Sequence, residues 1–200
     1  MLVLALAIAY LVGSFPTGVV LSHFIAGDDV RGRGSGNPGA SNVARTYGLK
    51  LGAAVGAIDI VKGLLPVLLA RRLGLPDAAL CLTAFAAVFG HDYSLFLQFR
   101  GGKGVASTLG AALGLATFAS VLGMVVWVGV IVATGYSSLA SLIALAALPI
   151  IVAITGGAPA FVAATFALFL LALWKHRENI NRLWNGTERK FRSLKPVNGA

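Results

Sequence analysis

Apolar residues run through this chain in long blocks, over about residues 1 to 25, 47 to 70, 77 to 97, 104 to 135, 138 to 156 and 158 to 174. A helix needs roughly 17 to 25 mostly apolar residues to cross the hydrocarbon core of a bilayer, so each block predicts at least one membrane-crossing helix. The fourth block is the exception. At about 32 residues it would make a helix of roughly 48 Å, too long for one ordinary crossing, and a split near Ala119 or Ser120 turns it into two short ones. The pattern predicts an all-α polytopic membrane protein, with residues 1–200 forming a single domain.

Composition strengthens this reading: the 200 residues are 58% hydrophobic and 12% charged, with a mean hydropathy of +0.86. The first Lys or Arg is Arg31. The first block therefore lacks the basic leader of a cleaved signal peptide and is expected to stay as the first crossing. The net charge of +9 needs no nucleic acid to explain it, because cytoplasmic Lys and Arg set the orientation of membrane proteins. Arg31, Arg33, Arg45 and Lys50 follow the first block, Arg100 and Lys103 the third, and Lys175, Arg177, Arg182, Arg189, Lys190, Arg192 and Lys195 the last. With seven crossings all of these share one face, opposite Arg71 and Arg72. The positive-inside rule then predicts seven transmembrane helices, the N-terminus outside, the C-terminus cytoplasmic, and a basic tail over about 189–200. Cys81 is the lone cysteine, which excludes an internal disulfide and favours packing.

Three polar clusters fall on that cytoplasmic face. The first is RGRGSGNPGASN, residues 31 to 42. Gly34, Gly36 and Gly39 allow the backbone to take positive φ and gather N–H groups around an anion, while Pro38, Ser41 and Asn42 resemble a helix start. GSGNPG fits the dinucleotide-binding GxGxxG pattern, but that fold needs a strand and a soluble βαβ unit around it, so the pattern is set aside. His23 and Asp28 form an HxxxxD pair, an acyltransferase signature too short to carry weight. The second cluster contains GGKG, residues 101 to 104. It is not a Walker loop, yet Lys103 between Gly102 and Gly104 at a helix start suits a phosphate. The third is KHRENINRLWNGTE, residues 175 to 188. Helical spacing puts His176, Asn179, Ile180 and Leu183 on one side. Asp59 and Lys62, three residues apart inside the second block, are read first as a structural pair. Ser138 and Ser141 begin the sixth crossing, where they either join a site or cap the helix.

In chain order, GSFPTG (13 to 18), RGRGSGNPGASNVAR (31 to 45), DIVKG (59 to 63), GGKGVAS (101 to 107) and HRENINRLWNGTE (176 to 188) resemble the bacterial acyl-phosphate:glycerol-3-phosphate acyltransferase family, of the PlsY type. The resemblance covers nearly the whole chain. Family members commonly carry Thr at position 41 and often Pro at position 94, where this chain has Ser41 and Ser94. The resemblance implies an inner-membrane enzyme, with its active site at the cytoplasmic face, that moves a fatty acyl group from acyl phosphate to position 1 of glycerol 3-phosphate. The product would be lysophosphatidic acid, the first acylation of phospholipid synthesis. It also implies Ser35, Arg45, Lys103, His176 and Asn179 as catalytic residues. Gly34, Gly36, Asn37, Gly39, Ser41, Asn42, Gly102, Gly104 and Ser141 would contact phosphate or substrate. No cofactor is expected, no metal is implied by ligand spacing, and the expected partners are the two substrates and membrane lipid around a monomer.

Both substrates carry phosphate, so the site must hold neighbouring anions, which explains a polar, basic, glycine-rich segment in so apolar a chain. The rival class, a transporter for a phosphorylated anion, predicts internal repeats and binding at mid-membrane. Neither is visible in the sequence.

Overall fold

The computed structural model describes residues 1–191, and within them the chain is helical: α1 (Leu2–Ser14), α2 (Thr17–Ala26), α3 (Ala40–Tyr47), α4 (Leu49–Arg72), α5 (Asp77–Asp92), α6 (Val105–Leu115), α7 (Thr117–Thr134), α8 (Ser137–Ile154), α9 (Pro159–Lys175) and α10 (Arg177–Trp184). Residues 192–200, which hold most of the expected basic tail, lie outside the described part. No strand occurs among the described residues.

Five segments are long and apolar enough to cross a membrane: Leu2–Ala26, Leu49–Arg72, Asp77–Leu97, Thr117–Thr134 and Ser137–Ile154. α9 and α10 make a sixth if counted together, although they bend by 62°. α6 has 11 residues and rises only about 16 Å, roughly half the hydrocarbon thickness. The long fourth block is split, as expected from its length, but at Ala116 (φ −146°) rather than at Ala119 or Ser120. The reason lies outside the block. Arg71, at the end of α4, donates to the carbonyls of Gly114 (2.9 Å) and Leu115 (3.3 Å), which satisfies the last turn of α6 and ends the helix there.

Small residues let the helices approach closely. A Cβ at Gly110 would lie 1.9 Å from the carbonyl oxygen of Ile60, and one at Gly63 would lie 2.1 Å from that of Ser107, so α4 and α6 pack backbone to backbone, as tight membrane helix pairs do. The buried core, including Val67, Ala84, Val88, Ala111, Leu148 and Leu168, lies among α4, α5, α6, α8 and α9. Val125, Val132, Ile150 and Phe166 face outward, as lipid-facing positions should. This frame leaves a gap between α3 and α4 on one side and α7 and α8 on the other, floored by α6.

Candidate functional site

A cavity of about 530 Å³ fills that gap. The three polar clusters meet at its mouth. Gly34, Ser35, Asn37, Gly39, Ser41 and Asn42 come from the loop before α3 and its first turn, and Arg45 comes from α3 itself. Lys103 and Gly104 precede α6, Ser141 comes from α8, and His176 and Asn179 flank the start of α10. Gly36 and Gly102, also expected at the site, are not among its lining residues. His23 and Asp28 are absent from the lining too, and Asp28 is engaged by Arg33 (2.7 Å) and Tyr47 (3.1 Å).

The glycine-rich loop binds itself more than its sequence suggests. Gly34 and Gly36 do take positive φ (58° and 71°), whereas Gly39 is extended at −76° and serves as the N-cap of α3. The N–H of Ser35 donates to Asn42 Oδ1 (2.9 Å), and that of Gly39 to Asn37 Oδ1 (2.9 Å). The N–H of Gly36 donates to the Arg33 carbonyl (2.9 Å). Asn42 Nδ2 reaches the carbonyls of Arg33 (3.1 Å) and Asn37 (3.0 Å). Asn37 and Asn42 therefore shape the loop, and its amides do not form the expected open cradle. In the second loop the N–H groups of Gly101 and Gly102 are likewise spent, on the carbonyls of Asp92 and His91.

Anion-binding capacity comes instead from helix ends and cations. α3, α6 and α8 all start at the cavity, behind Gly39, Gly104 and Tyr136, and among the described residues no side chain is bonded to their first-turn N–H groups. Three uncapped N-termini give partial positive charge from three directions. Gly104 reaches this position at φ +69°, which suits glycine. Arg45, half-buried, makes no hydrogen bond or ion pair among the described residues. Lys103 donates to Asn179 Oδ1. Burial, more than the nearby Arg182 and Arg45, lowers the Lys103 ammonium to about 8.

His176 sits at the bend between α9 and α10, and its Nδ1 lies 2.7 Å from the Ala172 carbonyl oxygen. A carbonyl can only accept, so Nδ1 holds the proton and Nε2 keeps its lone pair. His176 and Asn179 are buried, as their helical spacing predicted, while Ile180, expected on the same side, is exposed.

Residues that sequence reasoning left out complete the mouth. Glu188 accepts from Asn179 Nδ2 (2.7 Å), Ser138 Oγ (2.8 Å) and Arg182 Nε (2.7 Å). Burial raises its carboxyl, but these three donors outweigh that and hold it below the usual carboxylate range. Ser137 bonds Ser41 (3.1 Å), and Trp127 Nε1 donates to Ser141 Oγ (3.1 Å). Glu188 lies at the end of the quoted third motif and Ser137 beside Ser138, so motif position was the available signal. Deeper in, the cavity becomes apolar, walled by Ile60, Leu109, Met124, Leu145 and Leu148 with Gly123 leaving space.

The family model for glycerol-3-phosphate acyltransferase matches residues 3–186. A glycerol-3-phosphate acyltransferase of Geobacter metallireducens is 49% identical over 96% of this chain and 98% of its own length. That of Geobacter sulfurreducens is 45% identical over 94% and 96%, and that of Myxococcus xanthus 47% identical over 92% and 96%. Among solved structures, PlsY (YgiH), an integral membrane glycerol 3-phosphate acyltransferase, superposes in its glycerol 3-phosphate form with a TM-score of 0.90 at 36% identity, covering 94% of both chains. Its lysophosphatidic acid form gives 0.87 at 34% identity.

Proposed function

The chain belongs to the glycerol-3-phosphate acyltransferase family, and on that premise we propose that it transfers a fatty acyl group from acyl phosphate to the 1-hydroxyl of glycerol 3-phosphate, giving lysophosphatidic acid and inorganic phosphate. The observation that carries this reading is the cavity's two-part character. Three uncapped helix N-termini with Lys103 and Arg45 surround its mouth, and an apolar groove continues behind them. One molecule that is phosphate at one end and hydrocarbon at the other fits both parts.

Ser35, Arg45 and Lys103 hold the acyl phosphate headgroup, with its chain in the groove. His176 and Asn179 help hold glycerol 3-phosphate. The attacking hydroxyl forms a bond to the acyl carbonyl carbon, the bond from that carbon to the phosphate oxygen breaks, and phosphate leaves. Acyl phosphate is a mixed anhydride with a good leaving group, so no covalent enzyme intermediate is needed. Positioning the reactants about 3 to 3.5 Å apart supplies much of the acceleration, and cations and N–H groups aimed at the developing charge supply more. Purified protein given synthetic acyl phosphate and glycerol 3-phosphate should release phosphate and lysolipid in equal amounts. Anion uptake into vesicles without chemistry would select a transporter instead.

The hydroxyl proton passes to a substrate phosphate oxygen. His176 has a bare Nε2, but Lys103 and Arg45 in the same cavity oppose a further positive charge on its ring. His176→Gln is therefore expected to keep measurable turnover; a fall in kcat beyond about 10⁴-fold at unchanged KM would make His176 the base.

Lys103 also predicts the pH dependence. Its charged form is the low-pH form, so kcat/KM should be level below pH 8 and fall as pH rises through about 8, by about tenfold per unit at the limit. In Lys103→Arg, whose guanidinium stays charged, that alkaline fall should disappear.

The seven-crossing arrangement, N-terminus outside and C-terminus cytoplasmic, belongs to the same proposal, with the inner membrane as location. α6 supplies the short seventh crossing, and Arg71 and Arg72 end α4 away from the cavity mouth. A thiol label on a cysteine replacing Lys190 should react only after permeabilisation; reaction in intact cells would reverse the orientation.

A further inference from the structure

Two of the sequence motifs, GSFPTG and DIVKG, take no part in this chemistry, yet they meet in the structure. α1 ends at Ser14 and α2 begins at Thr17, and the Phe15 carbonyl between them accepts from the Thr17 N–H at 3.0 Å and from Lys62 Nζ at 2.7 Å. Lys62 Nζ also lies 2.8 Å from Asp59 Oδ1. Thr17 Oγ1 donates to the same carboxylate oxygen at 2.9 Å. His91 Nδ1 stands 3.7 Å from that oxygen and has no hydrogen-bond partner among the described residues. Asp59, Lys62 and His91 are 2%, 6% and 8% exposed. Burying three ionisable side chains within a helical membrane bundle is costly, and apolar residues of similar volume would hold the helices together as well or better. Packing alone does not explain them.

What the cluster touches does. His91 Nε2 lies directly beneath Gly102, where an added Cβ would sit 2.0 Å from it. The Gly102 N–H donates to the His91 carbonyl at 3.0 Å, and the Gly101 N–H to the Asp92 carbonyl at 3.2 Å. Lys175 Nζ, next to His176 in the chain, donates to that same Asp92 carbonyl at 2.7 Å. On the other side, a Cβ at Gly18 would lie 1.8 Å from the Pro38 carbonyl oxygen, so the glycine-rich loop rests on α2. Asp59 and His91 also border the cavity itself.

Building on the reading of the cavity as a phosphate site, we propose that Asp59 and His91, braced by Thr17 and Lys62, are positioning residues that hold the Lys103 loop at the height where its ammonium meets substrate phosphate. Neither needs to touch substrate. His91 sets where Gly102 can lie, Asp59 sets where the imidazole can lie, and the break between α1 and α2 anchors Asp59.

The test is a cycle between His91 and Gly102 in detergent-purified full-length protein, measured per folded molecule. His91→Ala removes the support, and kcat/KM for glycerol 3-phosphate should fall about 30-fold with the melting temperature little changed. Its alkaline fall should also move away from the wild-type pH, because Lys103 has shifted, a readout that a purely structural loss would leave in place. His91→Gln, which keeps a polar side chain of similar reach, should recover to within about fivefold of wild type. Gly102→Ala collides with the ring and should lose about 100-fold alone. In the double variant the methyl enters the space the ring vacated, so the two losses should not multiply. Multiplying losses, or a His91→Ala enzyme with wild-type kcat/KM and pH profile, would overturn the proposal. If His91→Ala does not fold, the cycle of Gly102→Ala with His91→Ser, which also leaves room for the methyl, decides by the same criterion. A wild-type protein that releases no phosphate would instead sink the acyl-transfer reading, so the two failures are distinct.

Discussion

Replacing Lys103 by alanine is expected to lower kcat/KM by about 10³-fold while leaving the folded protein nearly as stable as before. The stability half follows from its contacts: among the described residues Lys103 makes a single side-chain hydrogen bond, to Asn179, and has no carboxylate partner of its own. The activity half follows from charge. The proposed reaction brings two phosphate groups into one cavity, and at that mouth Arg182 is already paired with Glu188 at 2.7 Å. Lys103 and Arg45, with Arg189 beside them on the cavity lining, are left as the cations that offset repulsion between the reactants. Partial burial strengthens each such contact relative to water, and removing one donor to a developing oxyanion typically costs 10²- to 10³-fold. Loss of repulsion control adds to this. Steady-state kinetics on purified protein, paired with thermal unfolding, checks both halves. A loss below tenfold would remove Lys103 from the site.

Glu188→Ala should show the opposite balance, a loss of both stability and activity. The Glu188 side chain, 4% exposed, joins α8 through Ser138 and α10 through Asn179 and Arg182. Truncation leaves three donors without their acceptor, one of them charged, for a cost of about 2 to 4 kcal/mol. It also frees Asn179, the partner of Lys103, so kcat/KM should fall about 100-fold per folded molecule. Glu188→Gln retains an acceptor for Asn179 and Ser138 but not the ion pair, and should lie between. The carboxyl is held below its ordinary value of 4.5, so its stabilising contribution is complete above that pH and is lost as pH falls through the lower folded value. Melting temperature should therefore drop on acidification below pH 4.5, more steeply in wild type than in Glu188→Gln. Equal melting curves for the three proteins would show that the carboxylate does not tie these helices.

The crossing blocks, the length-driven split of the fourth block and the three polar clusters were legible because each is a local property of composition. Family membership was legible from five motifs in order. The open glycine cradle was not: GSGNPG shows that the backbone can turn, but Asn37 and Asn42 decide which amides remain, and their acceptors come from the fold of the loop. The exposure of Ile180 was missed for a similar reason, since an ideal 100° step assumes that no bend intervenes at His176.

By itself, the sequence determined that the chain is a bundle of apolar helices with basic, glycine-punctuated loops, because hydrophobicity and charge act residue by residue. Tertiary structure decided where the fourth block breaks, since the stopping group is Arg71 from α4. It also decided that α3, α6 and α8 aim uncapped ends at one cavity, that Glu188 locks the mouth, and that Asp59, Lys62 and His91 lie beneath the Lys103 loop. Each of these depends on contacts between residues dozens of positions apart, and such contacts are fixed by packing rather than by any local pattern.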